Sequence, residues 1–436
     1  MSKAIKNQKE ILQKLGIEKL NPMQLDAHAA IHSNSNVLLL SATGTGKTLA
    51  FLLPLIAELD PTNPNVQALI LTPTRELAIQ IETVLREIGS GFKCNAVYGG
   101  RPISKDKIEL SHTPAVVIGT PGRVADHVRR ETFSTEDIKT LVLDEFDKSL
   151  EIGFAEDMSE ILFALPNVKK KILTSATQKS SIPGFVDFQE HKVVDYSDEG
   201  VPNLQLKLIS SPEKDKLNTL LKVMEHLGNQ AGIIFCNFKE SIARTSEFLD
   251  ENNIPHGCFH GDMEQKDRER SLIKFRNGTY KTLLATDLAA RGIDVPEIAY
   301  ILHYQLPSRL HEFTHRNGRT ARMNADGVAY VMKWKQELLP EFIPSLEDAI
   351  WPEKSTTSRE NWETFFVSGG RKDKISKGDL AGLFFKQGKL EKDALGLIEL
   401  KQDCAFIGVK TDTPDRLVTL LDNGRIKGRK LRVNVI

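Results

Sequence analysis

SATGTGKT, residues 41–48, follows the apolar run VLLL (37–40) and leads into a helical pattern that starts at Leu49. A glycine-rich turn at a strand-to-helix junction points backbone N–H groups outward, an arrangement that suits an anion. Gly44 and Gly46, alternating with Thr43 and Thr45, permit the tight backbone. Lys47 can reach terminal phosphates as a point charge, and Thr48 can offer its hydroxyl to Mg²⁺. The strict phosphate-loop pattern has Gly where Ser41 stands. The competing reading, a Gly/Thr loop with a solvated lysine, is disfavoured by the strand-loop-helix context.

Around this stretch, residues 1–198 alternate short apolar runs with helical patterns. VLLL, ALIL (68–71), AVVI (115–118), TLVL (140–143) and KILT (171–174) are near-continuous apolar strands, as a parallel sheet covered on both faces requires. Each ends in a polar cluster: SATGTGKT, TPTREL (72–77), GTPGR (119–123), DEFD (144–147) and SAT (175–177). Ligands of open α/β sheets bind beyond the carboxyl ends of the strands, so the five clusters are expected along one edge. Asp144 and Glu145 close the fourth strand; a carboxylate there can hold Mg²⁺ through water while its neighbour orients an attacking water. An acidic pair capping a strand is more often a solvated turn; a phosphate loop in the same sheet shifts the balance to function.

The 436 residues suggest two or three domains. Cys94, Cys236, Cys258 and Cys404 are scattered without metal-ligand spacing, the pattern of reduced thiols in a cytosolic protein without zinc. The longest apolar run, 49–57, is too short to span a membrane, and residues 1–17 read as an amphipathic helix rather than a signal peptide. A cytoplasmic monomer with no membrane association is expected. Net charge is zero, but residues 361–436 hold 15 Lys and Arg against 10 Asp and Glu, net +5. A basic tail on an acidic body points to nucleic acid.

The polar segment SDEGVPN (197–203) reads as an interdomain linker, and the α/β pattern restarts at 203 and runs to 345. LQLKLI (204–209), GIIFCN (232–237), KTLLATD (281–287), YILHY (300–304) and VAYVM (328–332) are its strands. This second domain has no phosphate loop, which suggests nucleotide on the first domain and closing groups on the second. HRNGRTAR (315–322) spaces Arg316, Arg319 and Arg322 three apart, so on a helix they share a face.

Residues 21–323 resemble the DEAD-box RNA helicases of superfamily 2. The motifs stand in that family's order: Gln24 in NPMQ, ATGTGKT, PTREL, Gly99-Gly100, TPGR, DEFD, SAT, IIFCN, Gln265 with Arg268, ATDLAARGID (285–294) and HRNGRTAR. The resemblance implies two RecA-like domains in tandem and an RNA-dependent ATPase. It assigns Gln24 to adenine, residues 43–48 to ATP phosphates and Mg²⁺, Asp294 to ribose, and Arg319 and Arg322 to the arginine-finger role. Ser175 and Thr177 would couple hydrolysis to unwinding. Thr74, Arg75, Gly100, Thr120, Gly122, Arg123, Gln265, Arg268 and Thr286 would contact RNA phosphates and sugars, which fix register without reading bases. Two departures stand out. Phe146 replaces the family's Ala in DEFD, and no Phe, Tyr or Trp precedes Phe51 to stack on adenine.

After a linker at 346–360, residues 361–436 read β-α-β-β-α-β, an RRM-like α+β domain. Its third strand carries Phe406 without the aromatic pair of sheet-stacking RNA modules. GRIKGRKLRV (424–433) concentrates Arg425, Lys427, Arg429, Lys430 and Arg432, and with KGDLAGLF (377–384) it resembles the RNA-binding domain of DbpA-type helicases. That resemblance implies anchoring to large-subunit ribosomal RNA and a place in ribosome assembly. Two rivals are an ATP-gated RNA clamp that scarcely turns over and a DNA-directed helicase of the same superfamily.

Overall fold

The computed structural model describes residues 6–42, 44–176, 182–197, 204–290, 295, 298–320, 327–349 and 360–436. Thr43, Thr177, Asp294 and Arg322 lie outside the described residues. Two compact units divide near residues 202–203.

The first unit is built on seven parallel strands: β1 (Asn36–Ser41), β2 (Ala68–Leu71), β3 (Cys94–Val97), β4 (Val116–Gly119), β5 (Thr140–Leu143), β6 (Lys170–Ser175) and β7 (Lys192–Tyr196), in the order β3-β4-β2-β5-β6-β1-β7. Along β2, Ala68 and Ile70 enter one core cluster while Leu69 and Leu71 enter the other. Burial on both faces explains why the strand sequence is continuously apolar. β3 and β7 escape the apolar-run criterion because Asn95 and the exposed Lys192 and Asp195 interrupt them. All pairings are parallel, so the polar clusters after β1, β2, β4, β5 and β6 lie along one edge. The order places the ends of β5, β6 and β1 side by side.

The second unit opens with another parallel sheet: β8 (Leu204–Ser211), β9 (Gly232–Phe235), β10 (His256–Phe259), β11 (Thr282–Ala285), β12 (Tyr300–His303), β13 (Gly327–Trp334) and β14 (Glu347–Asp348), in the order β10-β11-β9-β12-β13-β8-β14. One expectation is corrected here. The helix Leu310–Asn317 stops at Gly318, and turn-type bonds from Arg319 N–H to Arg316 C=O and from Thr320 N–H to Asn317 C=O replace it. Arg316 and Arg319 therefore share no helix face; glycine is a poor helix residue and ends the run before Arg319.

The same unit ends in an antiparallel sheet, β16-β17-β15-β20, formed by β15 (Trp362–Val367), β16 (Leu395–Leu400), β17 (Ala405–Lys410) and β20 (Val433–Val435). The helices Lys377–Lys386 and Pro414–Leu421 cover one face, and Phe365 meets Phe384 edge-on with centroids 5.8 Å apart. KLRVNVI, read as one strand, is split. Lys430 belongs to a separate hairpin of β18 (Arg425–Ile426) and β19 (Arg429–Lys430), turned by Lys427 and Gly428, both at positive φ. That pair of conformations makes a two-residue type I′ turn, which matches strand twist.

The sheet's other face rests on the end of the helix Gln265–Arg276. Asn277 Nδ2 donates to Thr364 Oγ1 at 3.1 Å, and the Thr279 and Thr364 hydroxyls lie 2.8 Å apart. Arg276 grips Glu399 Oε1 through Nε at 2.7 Å and Nη2 at 2.6 Å, and Lys401 pairs with Glu269 at 2.6 Å. Thr364 and Gly408 are buried there. A Cβ on Gly408 would lie 3.1 Å from Asn277 Cγ, so Gly408→Leu should wedge the third domain off this helix without altering its own core. Small-angle scattering should then give a larger radius of gyration at unchanged circular dichroism; an unchanged radius would refute the docking role of Gly408.

Candidate functional site: a phosphate loop, an acidic pair and RNA-facing turns

The phosphate loop is shaped by Gly44 at φ +89° and Gly46 at φ +91°, conformations that disfavour any side chain. Ser41, the departure from Gly, is buried and its hydroxyl lies 2.7 Å from Thr45 Oγ1, tying the start of the loop to its middle. Lys47 begins the helix Lys47–Ala57, with Thr48 next, and its Nζ donates to the carbonyls of Ser41 at 2.6 Å and Ala42 at 2.7 Å. Asn21 and Gln24 form a capping box at the start of the helix Pro22–Ser33. Asn21 Nδ2 also donates to Thr45 C=O at 3.0 Å and Gln24 Nε2 to Gly46 C=O at 3.3 Å. Gln24 thus touches the loop backbone directly, and a Cβ on Gly46 would meet its Nε2 at 2.6 Å.

At the end of β5, Asp144 is only 3 % exposed. Its Oδ1 accepts from Thr174 Oγ1 at 2.5 Å, and the same hydroxyl oxygen accepts Glu145 N–H at 3.0 Å. Thr174, on neighbouring β6, therefore fixes both acidic residues; the sequence signal was a threonine inside an apolar strand. Burial, then the Glu145 charge, push the Asp144 carboxyl from the ordinary 3.8 up to about 6, against the lowering pull of Thr174 and Lys47. Glu145 sits at φ +47°, ψ +50° as the residue before the helix Phe146–Glu151, a left-handed conformation costly for a side-chain-bearing residue. Phe146 is 2 % exposed and packs in the core, while Asp147 pairs with Lys148 at 2.9 Å. The unusual third letter of DEFD is thus spent on packing. Ser175, at the end of β6, is fully buried.

Three turns of the first unit come together beyond β2, β3 and β4. Thr74 caps the helix Arg75–Ile88 by accepting Leu77 N–H, and the Arg75 guanidinium lies where a Cβ on Gly100 would be, at 2.3 Å. Thr120 precedes the helix Pro121–Arg129, and a Cβ on Gly122 would lie 3.3 Å from Asp157. Arg123, expected to reach RNA, is turned inward: Nε donates to Tyr98 C=O at 3.1 Å and Nη2 to Arg101 C=O. Two carbonyls and the Asp106 carboxylate, 3.3 Å from Nε, offset the water that this guanidinium gives up.

In the second unit Gln265 opens the helix Gln265–Arg276, and Arg268 is 7 % exposed with its guanidinium over Phe259 at 4.7 Å. Thr286 donates its N–H to Phe259 C=O, just beyond β11. Arg316 is structural: it is 1 % exposed and grips Asp287 at 2.7 and 2.6 Å, Gln305 C=O at 2.7 Å and Asn237 Oδ1 at 2.7 Å. Arg319 is 4 % exposed. In the third domain Lys427 pairs with Asp379 at 2.7 Å and holds it at about 2, Arg429 pairs with Asp373, and Arg432 with Asp422 at 3.1 Å. Arg425 and Lys430 are exposed and have no ion pair among the described residues.

Family models match in the same order: DEAD/DEAH box helicase over residues 21–183, helicase conserved C-terminal domain over 215–324, and DbpA RNA binding domain over 364–435. The ATP-dependent RNA helicase DbpA of Bacillus subtilis (strain 168) is 31 % identical, over 97 % of this chain and 96 % of its own length. The chain belongs to the DbpA-type DEAD-box RNA helicases. The Escherichia coli (strain K12) ATP-dependent RNA helicase DbpA is 30 % identical over 98 % and 96 % of the two chains. Among solved structures, S. cerevisiae Dbp5 bound to RNA and ADP BeF3 aligns with a TM-score of 0.67 at 26 % identity, covering 75 % of this chain and 87 % of Dbp5. Mss116p bound to ssRNA and AMP-PNP gives 0.67 at 26 %, covering 74 % and 72 %. This DbpA-type enzyme is an RNA-dependent ATPase and helicase with two RecA-like domains and a DbpA RNA-binding domain. Among its described residues no helix is long and apolar enough to cross a membrane.

The donor set of this helicase fits a hard divalent cation. Asp144 is an oxygen donor kept from water, Glu145 adds charge beside it, and Thr48 follows β1, two strands along the same sheet. Protonation of Asp144 is favoured below about pH 6, so the folded protein holds a proton between 3.8 and about 6 that the unfolded chain releases. This group's stabilising contribution falls as pH rises through that window, while its competence as a ligand grows. Removing the Thr174 hydroxyl takes away a hydrogen bond to a charged group, worth about 1.5–3 kcal/mol or roughly one to two pH units. Thr174→Val should therefore shift the acid limb of kcat/KM for ATP upward by about that much and lower kcat near neutrality. An acid limb that stays in place would show that Asp144 is not the titrating group.

Proposed function

We propose that this helicase remodels large-subunit ribosomal RNA during ribosome assembly, as a cytoplasmic monomer that hydrolyses Mg-ATP. The observation that carries the reading is the β18–β19 hairpin. Arg425 and Lys430 are exposed on it and have no ion pair among the described residues, on a domain fastened to the helix whose other end carries Gln265 and Arg268. Anchoring at the hairpin would deliver nearby RNA to the helicase residues at a fixed spacing. Phosphate contacts of this kind give salt-dependent, sequence-independent grip, so preference would come from the anchored element's shape.

In this reading Gln24 reads adenine and residues 43–48 hold the phosphates. Thr48 and Asp144 bind the metal, mostly through water, and Glu145 positions the attacking water; a magnesium ion would neutralise charge on the phosphate oxygens. Asp294 contacts ribose, and Arg319 and Arg322 meet the charge that develops on the γ-phosphate. Thr74, Arg75, Gly100, Thr120, Gly122, Gln265, Arg268 and Thr286 form the track for RNA, with Arg123 holding the turns beneath it, and Ser175 with Thr177 link it to hydrolysis. Support for the acidic pair comes from the Thr174 bridge, which presents Asp144 and Glu145 together.

Steady-state ATPase with no nucleic acid, duplex DNA, generic RNA and a large-subunit rRNA fragment tests the proposal. Strong stimulation by the rRNA fragment with strand release is expected; ATP-dependent retention of RNA without turnover would favour the clamp. Arg425→Glu with Lys430→Glu should leave RNA-free hydrolysis intact and erase the rRNA preference, each lost phosphate contact reducing the salt slope by about 1. Retained preference would sink the anchor. Glu145→Gln should hydrolyse ATP at least about 10²-fold more slowly while still binding RNA with ATP; normal turnover would remove Glu145 from its role.

A further inference from the structure

Helix Ile103–Leu110 of the first unit carries a carboxylate, Asp106, that is fully buried among three cationic or potentially cationic side chains. Arg101 Nε lies 2.5 Å from Oδ1; Arg123 Nε lies 3.3 Å and His127 Nε2 3.0 Å from Oδ2. His127 is itself fully buried, its Nδ1 2.8 Å from Thr132 Oγ1, which orients the ring with Nε2 on the Asp106 carboxylate. Burying a carboxylate costs several kcal/mol unless it is well paired, so such a cluster holds its geometry tightly.

What it holds is specific. Arg101 directly follows Gly99-Gly100 and Arg123 directly follows Gly122, so one carboxylate fastens the two glycine turns to each other. The clamp is continued by Arg101 Nη2, which donates to Ala96 C=O at 2.9 Å and pairs with Glu109 at 2.8 Å, and by the Arg101 guanidinium over the Tyr98 ring. Arg123 completes it by binding Tyr98 C=O and Arg101 C=O. Both guanidiniums are engaged in this clamp, beside which Gly100 is exposed, Gly122 half-buried and Thr120 buried in the joined turns.

We infer that Asp106 is a positioning residue for RNA binding: with His127 it sets the spacing of the 99–100 and 120–122 turns and thereby the affinity for the RNA backbone. This rests on the proposed assignment of those turns to RNA. It predicts a defect confined to RNA. For Asp106→Asn, the poly(rU) concentration giving half-maximal ATPase stimulation should rise at least about tenfold, while RNA-free ATPase and KM for ATP stay within about twofold. A folded Asp106→Asn protein, judged by circular dichroism, with half-saturation within about twofold of wild type overturns the inference. If Asp106→Asn does not fold, the His127 pair decides. His127→Gln keeps an N–H donor and should stay within about threefold, whereas His127→Leu should rise at least about tenfold; equal values in the two overturn it. Thr120→Ala separates the two layers: a normal half-saturation there removes the turns from the RNA track, whereas a raised value beside a normal Asp106→Asn removes only Asp106.

Discussion

The first helicase domain is organised around the burial of charge at the ends of parallel strands. Asp144 loses most of its hydration when β5 and β6 pair, and a single hydroxyl, Thr174 Oγ1, compensates by donating to the carboxylate while accepting the next backbone N–H. A threonine can do this because it fits a β-strand and still carries a donor and an acceptor. Desolvation keeps the carboxyl near 6, a level at which metal or phosphate ligation can decide its ionisation. The same logic recurs in Asp106, where two arginines and a histidine replace the hydroxyl.

The arginines divide by how their donors are used. Arg316 spends its guanidinium on Asp287, Asn237 and Gln305 and fixes the loops after β9, β11 and β12. Arg123 does the same for the turn after β3. A motif arginine is therefore not by its presence a ligand-contacting one. Its neighbours decide, because a guanidinium that serves several loop carbonyls and side chains cannot be withdrawn without leaving those acceptors unpaired.

The third domain shows how a generic sheet is given one use rather than another. Its open face, available for base stacking in other domains of this topology, is here occupied by Asn277, Thr279 and Arg276 of the helicase domain. Small residues at Thr364 and Gly408 let the two surfaces meet. The basic hairpin stays exposed, and its turn is set by two successive positive-φ residues, Lys427 and Gly428.

Local patterns determined much of this protein. Continuous apolar runs encoded two-sided parallel sheets, glycines at 44 and 46 encoded the phosphate loop, and the β-α-β-β-α-β order encoded the tail, because each depends on residues close in sequence. The strands with internal polar residues, β3 and β7, were not legible, since only pairing with neighbouring strands makes them part of the sheet. The role of Thr174, the inward turn of Arg123, the core position of Phe146 and the covering of the third sheet were decided by tertiary structure alone. In each of these the partner lies on another element, as Thr174 and Asp144 do across two strands, and a hydrogen bond or contact between distant residues leaves no periodic trace in the chain.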